Sequence, residues 1–283
     1  MIAIVDSGST KSNWLFTGGS GEDISLRSTG INPYYQTAED IQLCLQKELV
    51  PNLPQISRIS AVYFYGAGCE LPAQQAIVEK ALTPLFPGCT IYVDNDLIAA
   101  ARSVLGKEEG IACISGTGSN TCFYDGKKII RNINSLGLYM GDEGSGGYLG
   151  KLLAQAYIRE VMPADIRERF EMFTPDRKSD IMDKVYKKPF PNRYLASLAP
   201  FAILHKHEGF IEELIDHNFR LLFENCICRY ERHTEVPVRF IGSVALHLKH
   251  SLEKIALEKG IRVDAVTDDP MSGLKKHHLT TSL

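Results

Sequence analysis

The 283-residue chain is 44% hydrophobic, 23% charged and 9% aromatic, too apolar and too sparsely charged for a disordered protein. At about 100–200 residues per domain, it is long enough for two domains that each bury a core. Its 31 basic residues nearly balance its 34 acidic ones, so no bulk field draws it to nucleic acid or to anionic lipid.

Ile2 to Val5 reads as an apolar strand with no basic region before it and no small-residue cleavage site after it, so a secretory signal peptide is not expected. The strand runs into Asp6-Ser7-Gly8-Ser9-Thr10-Lys11, and Asn13 to Thr17 again reads as strand, which makes a polar hairpin. A third strand near Ile24 to Ser28 precedes Asn32-Pro33. The spacing of Ile41, Cys44, Leu45 and Leu49 predicts a helix from about Ala38 to Leu49. Ala61 to Tyr65 is a strand that ends in Gly66-Ala67-Gly68, with a helix from about Pro72 to Leu85 behind it. Strand Ile91 to Val93 meets Asp94-Asn95-Asp96, and a helix from Leu97 to Leu105 is stopped by Gly106.

From Gly110 the pattern starts again: strand Ile111 to Ile114, the turn Ser115-Gly116-Thr117-Gly118-Ser119-Asn120, strand Thr121 to Tyr124 and a third strand around Lys128 to Ile133. This is an internal repeat of an apolar strand, a Gly/Ser/Thr turn and a second strand, with little identity between the copies. A helical stretch from about Gly147 to His233 follows. Within it, Ile211, Leu214, Ile215, Phe219, Leu222 and Cys226 recur at helical spacing as a core stripe. Its most apolar run, Leu195 to Leu204, is interrupted by Ser197 and Pro200 and falls short of the about 20 residues of a membrane span. Val238 to Ile241, a helix from Val244 to Glu258, a strand from Ile261 to Val266 and a short terminal helix complete the chain.

The two turns carry the chemistry. Asp6 to Lys11 sets a carboxylate at a strand end before small residues whose backbone N–H groups can curl around an anion, with hydroxyls at Ser7, Ser9 and Thr10 and a cation at Lys11. Taken alone, it is equally a Gly- and Ser-rich hairpin turn. The turn from Ser115 to Asn120 repeats that chemistry in the same structural place, and a nucleoside triphosphate requires two such hairpins facing one another. Neither turn fits G-x-x-x-x-G-K-[ST], and no G-x-G-x-x-G opens a helix after the first strand, which excludes P-loop and dinucleotide-binding readings.

These loops, with Phe240-Ile241-Gly242-Ser243-Val244-Ala245, resemble the actin-like ATPase and sugar kinase superfamily. Asn95-Asp96 before an alanine-rich helix, Met140-Gly141-Asp142-Glu143-Gly144-Ser145-Gly146-Gly147 and Asp269-Pro270-Met271-Ser272-Gly273-Leu274 resemble its N-acetylglucosamine kinase branch, grouped with the benzoyl-CoA reductase activating (BadF/BadG/BcrA/BcrD) ATPases. The resemblance covers nearly the whole chain. It implies an α/β fold of two actin-like, ribonuclease H-like domains facing a central cleft, about 1–108 and 109–283, the second enlarged by helical insertions. The last helix would cross back onto the first domain.

The resemblance also implies roles. ATP and Mg²⁺ are the expected cofactors, with Asp6 near the metal through water. Ser9, Thr10, Lys11, Gly116, Thr117, Gly118 and Ser119 would hold the phosphates, and Gly242 and Ser243 the adenosine. Asp96 would be the catalytic base that orients and deprotonates a sugar hydroxyl, although an Asp there also reads as a cap of the helix beginning at Leu97. Asp94 is its local competitor. Asp142 would accept bonds from sugar hydroxyls, Asn32 would contact the sugar, and Gly68 would let the backbone approach the N-acetyl group. By themselves, Asp142 and Glu143 read as acidic residues before a helix start.

The expected activity is ATP-dependent phosphorylation of an N-acetylated amino sugar, N-acetylglucosamine to its 6-phosphate, with N-acetylmuramate as a variant substrate. The alternative of another class is an ATPase that activates a 2-hydroxyacyl-CoA dehydratase or benzoyl-CoA reductase by passing an electron from an iron–sulfur cluster. A catalytically silent binding module is a third reading, opposed by Asp6, Asp96 and Asp142 together. The 7 cysteines form no C-x-x-C pair, which points to a reducing, cytoplasmic setting. Cys226-x-Cys228 reads as one buried and one partly exposed thiol, Trp14 as core, and the 8 histidines, all after residue 204, as surface residues without metal spacing. The expected partner is the small sugar, and the expected assembly a homodimer.

Overall fold

The computed structural model describes residues 1–8, 11–18, 22–53 and 59–280. The chain divides into two compact units, Met1–Lys107 with Asp269–Leu283, and Glu108–Asp268. Unit 1 runs β1 (Ile2–Ser7), β2 (Lys11–Thr17), β3 (Ile24–Thr29), α1 (Ala38–Glu48), β4 (Ala61–Gly66), α2 (Pro72–Leu82), β5 (Thr90–Asn95) and α3 (Asp96–Leu105). Unit 2 begins with β6 (Gly110–Ser115), β7 (Ser119–Tyr124) and β8 (Ile129–Ile133). Its helices are α4 (Gly137–Met140), α5 (Gly146–Ile158), α6 (Ala164–Phe173), α7 (Lys178–Tyr186), α8 (Pro191–Ala196), α9 (Ala199–Leu204) and α10 (Gly209–Asn225). Then come β9 (Val238–Ile241), α11 (Ser243–His247), α12 (Lys249–Glu258) and β10 (Val263–Thr267), and finally α13 (Pro270–Leu279), which packs in unit 1.

Each unit is built on a five-stranded mixed sheet of the same topology. The order is β3-β2-β1-β4-β5 in one and β8-β7-β6-β9-β10 in the other. In both, the first three strands form an antiparallel meander and the last two add in parallel to the first. The weak sequence repeat is thus a full structural one, because a buried strand pattern survives substitution as long as its residues stay apolar. The fold is α/β, as read from the sequence.

Local chemistry explains the elements. Thr37 and Asp40 form a reciprocal capping box at the start of α1. Gly106, at φ 65°, closes α3. In unit 1, Trp14 stacks between Phe16 and Phe86, and its indole N–H is satisfied by Ser28 Oγ at 3.0 Å. In unit 2, the stripe Ile211, Ile215, Phe219 and Leu222 of α10 is wholly buried against α12 and the sheet. The helix predicted over 244–258 is broken at Leu248, a buried residue with non-helical φ −109° and ψ 22°. No helix among the described residues is long and apolar enough to cross a membrane.

Candidate active site

In unit 1, the chemistry-bearing residues collect at the carboxyl ends of the parallel strands β1, β4 and β5, where such sheets commonly bind ligands. Register aligns Asp6 with Tyr65 and Asp94, and Ser7 with Gly66 and Asn95. Gly8 N–H donates to Lys11 C=O at 3.0 Å and closes the β1–β2 hairpin. Ser9 and Thr10 lie outside the described residues. Buried Ser7 Oγ bonds Ser12 Oγ at 2.6 Å and accepts from Ile31 N–H at 3.1 Å, while Ala67 N–H donates to Ser7 C=O at 3.0 Å. One hydroxyl and one carbonyl therefore tie the hairpin to the 30–32 and 66–68 loops. Those two loops also meet each other: a Cβ built on Gly68 would lie 2.5 Å from Asn32 Oδ1, which accepts from Tyr34 N–H at 3.0 Å.

Asp96 sits at the first position of α3. The cap, however, is Asn95, whose Oδ1 accepts from Ile98 N–H at 2.9 Å. This corrects the sequence expectation that Asp96 serves as cap: the chain turns helical one residue early, so Asn95 holds the cap and Asp96 is the first residue of the helix. Burial, then the like charges of Glu70 and Asp6, push its pKa up to about 6, while the backbone N–H groups of Leu97 and Asp96 oppose the rise. Burial also raises Asp6, against a hydrogen bond from Asn13 and the nearby charge of Lys11. Asp94 faces elsewhere: its Oδ2 pairs with Arg102 at 3.6 Å and its Oδ1 accepts from Asn95 N–H at 3.0 Å.

In unit 2, the turn after β6 is stitched to the start of α5. Gly146 N–H donates to Gly116 C=O at 2.8 Å and Gly147 N–H to Thr117 C=O at 3.0 Å, while Gly116 N–H donates to Gly118 C=O at 3.0 Å. Ser145 Oγ caps α5 by accepting from Tyr148 N–H. Asp142, buried and left-handed at φ 65°, leans on the same turn, accepting from Ser119 N–H at 3.5 Å with Gly118 beside it. Burial raises its pKa. Gly242, which precedes Ser243 and α11, lies against the Ser115 carbonyl. Gly116, Thr117, Gly118, Ser119, Asp142, Gly242 and Ser243 are thus one neighbourhood of unit 2, and Asp6, Lys11, Asn32, Gly68 and Asp96 one of unit 1.

Three contributors escaped sequence reasoning. Glu70 acts on Asp96 from the bend before α2, and Asn13 on Asp6 from the facing position of β2. Asn218 of α10 is fully buried, accepts from Gly144 N–H at 2.7 Å and donates to Ser145 C=O at 3.2 Å. Its signal was available as the polar residue set within the apolar stripe. Asn218→Ala strands two buried backbone groups, so calorimetry is expected to show about 2–4 kcal/mol lost from unit 2 and a weaker hold on the Gly144–Gly147 turn. Among histidines, the surface expectation fails at His278, which is 8% exposed because it stacks on Tyr63 at 3.9 Å. Cys226 is buried and Cys228 partly so, as read. Among the described residues, no cluster of three or more His, Cys, Asp or Glu forms a metal site.

No protein-family model matches the chain. Along its full length, and that of the other chain, it is 39% identical to a crystal structure from Porphyromonas gingivalis provisionally titled an N-acetylglucosamine kinase, with a TM-score of 0.94. A similarly titled structure from Chromobacterium violaceum shares the fold at TM-score 0.74 and 19% identity, covering 98% of both chains. A curated N-acetylmuramic acid/N-acetylglucosamine kinase of Clostridium acetobutylicum is 27% identical over 176 residues, a stretch that spans 57% of this chain and 56% of that protein.

Proposed function

Because the chain belongs to the N-acetylglucosamine kinase family of its full-length Porphyromonas relative, we propose that it is a phosphotransferase that moves the γ-phosphoryl group of ATP to a hydroxyl of an N-acetylated amino sugar. The sugar is N-acetylglucosamine and the product its 6-phosphate. The observation that carries the reading is Asp96, a buried carboxylate at the first position of α3 whose pKa is raised to about 6, within the range in which a general base both stays ionised and accepts a proton.

In this reading, Asp96 orients the attacking hydroxyl and takes its proton as the phosphoryl group transfers. Asn32 and the backbone at Gly68 hold the sugar and its N-acetyl group. The Gly116–Ser119 turn presents backbone N–H groups and the Thr117 and Ser119 hydroxyls to the phosphates, with Ser9, Thr10 and Lys11 doing so from the first hairpin. Gly242 and Ser243 border the adenosine, and Asp142 holds sugar hydroxyls. Mg²⁺ suits the oxygen-rich donors, and the mutual repulsion of Asp6, Glu70 and Asp96 is what a divalent cation near Asp6 would relieve. Bound there, it would neutralise phosphate charge.

The kinase reading is favoured over an iron–sulfur activator by the thiols. Cys69, Cys113, Cys122 and Cys226 are buried, whereas a cluster held between two subunits needs exposed thiols. Free cysteines suit a reducing cytoplasm. A coupled ADP-release screen over glucose, N-acetylglucosamine, N-acetylmannosamine and N-acetylmuramate is expected to give the highest kcat/KM with N-acetylglucosamine. Sugar-independent ATP turnover in an iron-containing protein would overturn the reading. The Clostridium relative's double name makes N-acetylmuramate the second sugar to watch.

A further inference from the structure

The face of the unit 1 sheet covered by α3 and α13 carries a connected set of polar side chains that the proposed chemistry does not use. Tyr65 of β4 is 1% exposed, and its hydroxyl lies 2.8 Å from His278 Nε2 and 2.9 Å from Arg102 Nη1. Arg102 in turn pairs with Asp94 Oδ2 at 3.6 Å, and Asp94 Oδ1 holds Asn95 N–H. Asn95 caps α3 and immediately precedes Asp96. A guanidinium only donates, so the Tyr65 oxygen accepts from Arg102, and the tautomer of the His278 ring sets which partner donates in the Tyr65–His278 bond. Burial drives the His278 pKa down to about 3, so the ring is neutral throughout the working range.

We infer that the chain His278–Tyr65–Arg102–Asp94 is the support that fixes the β5–α3 corner, and hence the attitude of the Asp96 carboxylate, making Tyr65 and His278 positioning residues for phosphoryl transfer. The inference rests on Asp96 as base. Two further observations support it. Helix α13 is locked to α3 where the chain needs it: Gly273 lies directly on Ser103, whose Oγ donates to Pro270 C=O at 3.0 Å, and His277 Nδ1 is 3.1 Å from Gly106 C=O. A cavity of about 500 Å³, walled by Tyr63, Tyr92, Asp94, Arg102 and His277, adjoins the chain. An Arg102 side chain deprived of the Tyr65 oxygen has that space to move into, and the corner would no longer be held in one position.

The test compares Tyr65→Phe, His278→Ala, His278→Gln, Tyr92→Phe and Asp96→Asn in steady-state assays with N-acetylglucosamine and ATP, alongside thermal unfolding. Loss of alignment by an ångström or less is expected to cost about 10- to 100-fold in kcat for Tyr65→Phe and His278→Ala, with both KM values within about twofold. His278→Gln, whose amide can accept from or donate to the Tyr65 hydroxyl, recovers most of kcat. Tyr92→Phe removes a hydroxyl from the same cavity outside the chain and stays within about twofold of the parent. A Tyr65→Phe kcat within twofold of the parent overturns the inference, as does a loss shared with both KM values and the unfolding midpoint, or the absence of rescue by glutamine. Inactive Asp96→Asn beside unaffected Tyr65→Phe sinks the support chain alone; active Asp96→Asn sinks the base and the chain together.

Discussion

Asp96→Asn is expected to lower kcat by about 10²–10⁴-fold, the usual contribution of a positioned general base, while leaving the KM for ATP unchanged. Asparagine keeps the shape of the side chain, and the cap of α3 belongs to Asn95, so the helix start survives. The parent enzyme carries a matching pH signature. Asp96 must be ionised to act, so kcat/KM rises with pH and reaches half its plateau near pH 6. A half-point at the ordinary carboxylate value of 3.8 would show that another group limits the rate.

Stability should move the other way. Folding raises the pKa of Asp96, so the ionised form is the one penalised, and the penalty is absent below the unfolded pKa and complete above about pH 6. Removing the charge is therefore expected to stabilise unit 1 at neutral pH by on the order of 1–3 kcal/mol, with the gain shrinking as pH falls from 6 toward 4. A variant that is both inactive and more stable separates loss of chemistry from loss of fold.

Gly242→Ala is the second large effect. At φ 129° and ψ 154°, residue 242 occupies a region reserved in practice for glycine, and a Cβ there would lie 2.6 Å from the Ser115 carbonyl carbon. Backbone strain alone is about 1–3 kcal/mol, and the collision displaces Ser115, from which the Gly116–Ser119 turn departs. The expected result is a KM for ATP raised by more than about tenfold and a lower unfolding transition for unit 2. Unit 1, probed by the environment of Trp14, should unfold as in the parent. An unchanged KM would remove the Gly242 turn from the nucleotide site.

The parts legible in the sequence were those written in short-range patterns. The apolar strands and the small-residue turns at 6–11 and 115–120 announced two related halves, because a hairpin and its turn are local. The identical strand order of the two sheets was not legible, since the parallel additions of β4 and β9 depend on contacts across long stretches of chain. The helix cap was misassigned by one residue. Asn95 and Asp96 are both competent caps, and only the backbone at 95, extended at φ −84° and ψ 167°, decides between them. His278 looked like surface because its partners, Tyr63 and Tyr65, lie at the other end of the sequence. Asp96 stands out in the sequence as a candidate through the resemblance of Asn95-Asp96 before an alanine-rich helix, whereas the charges that raise its pKa, Glu70 and Asp6, come from two other segments.

The chain order of unit 1 has a consequence for biosynthesis. Residues 108–268 are continuous and emerge from the ribosome ready to collapse, whereas the first 107 residues wait for α13, which is translated after all of unit 2. Until then, the seat of Leu274 and His278 is open and the apolar wall around Tyr63 and Tyr65 is bare. The half of the molecule made first is the half finished last. Chains released after residue 268 are therefore expected to be protected from protease in the later segment and cut in the earlier one.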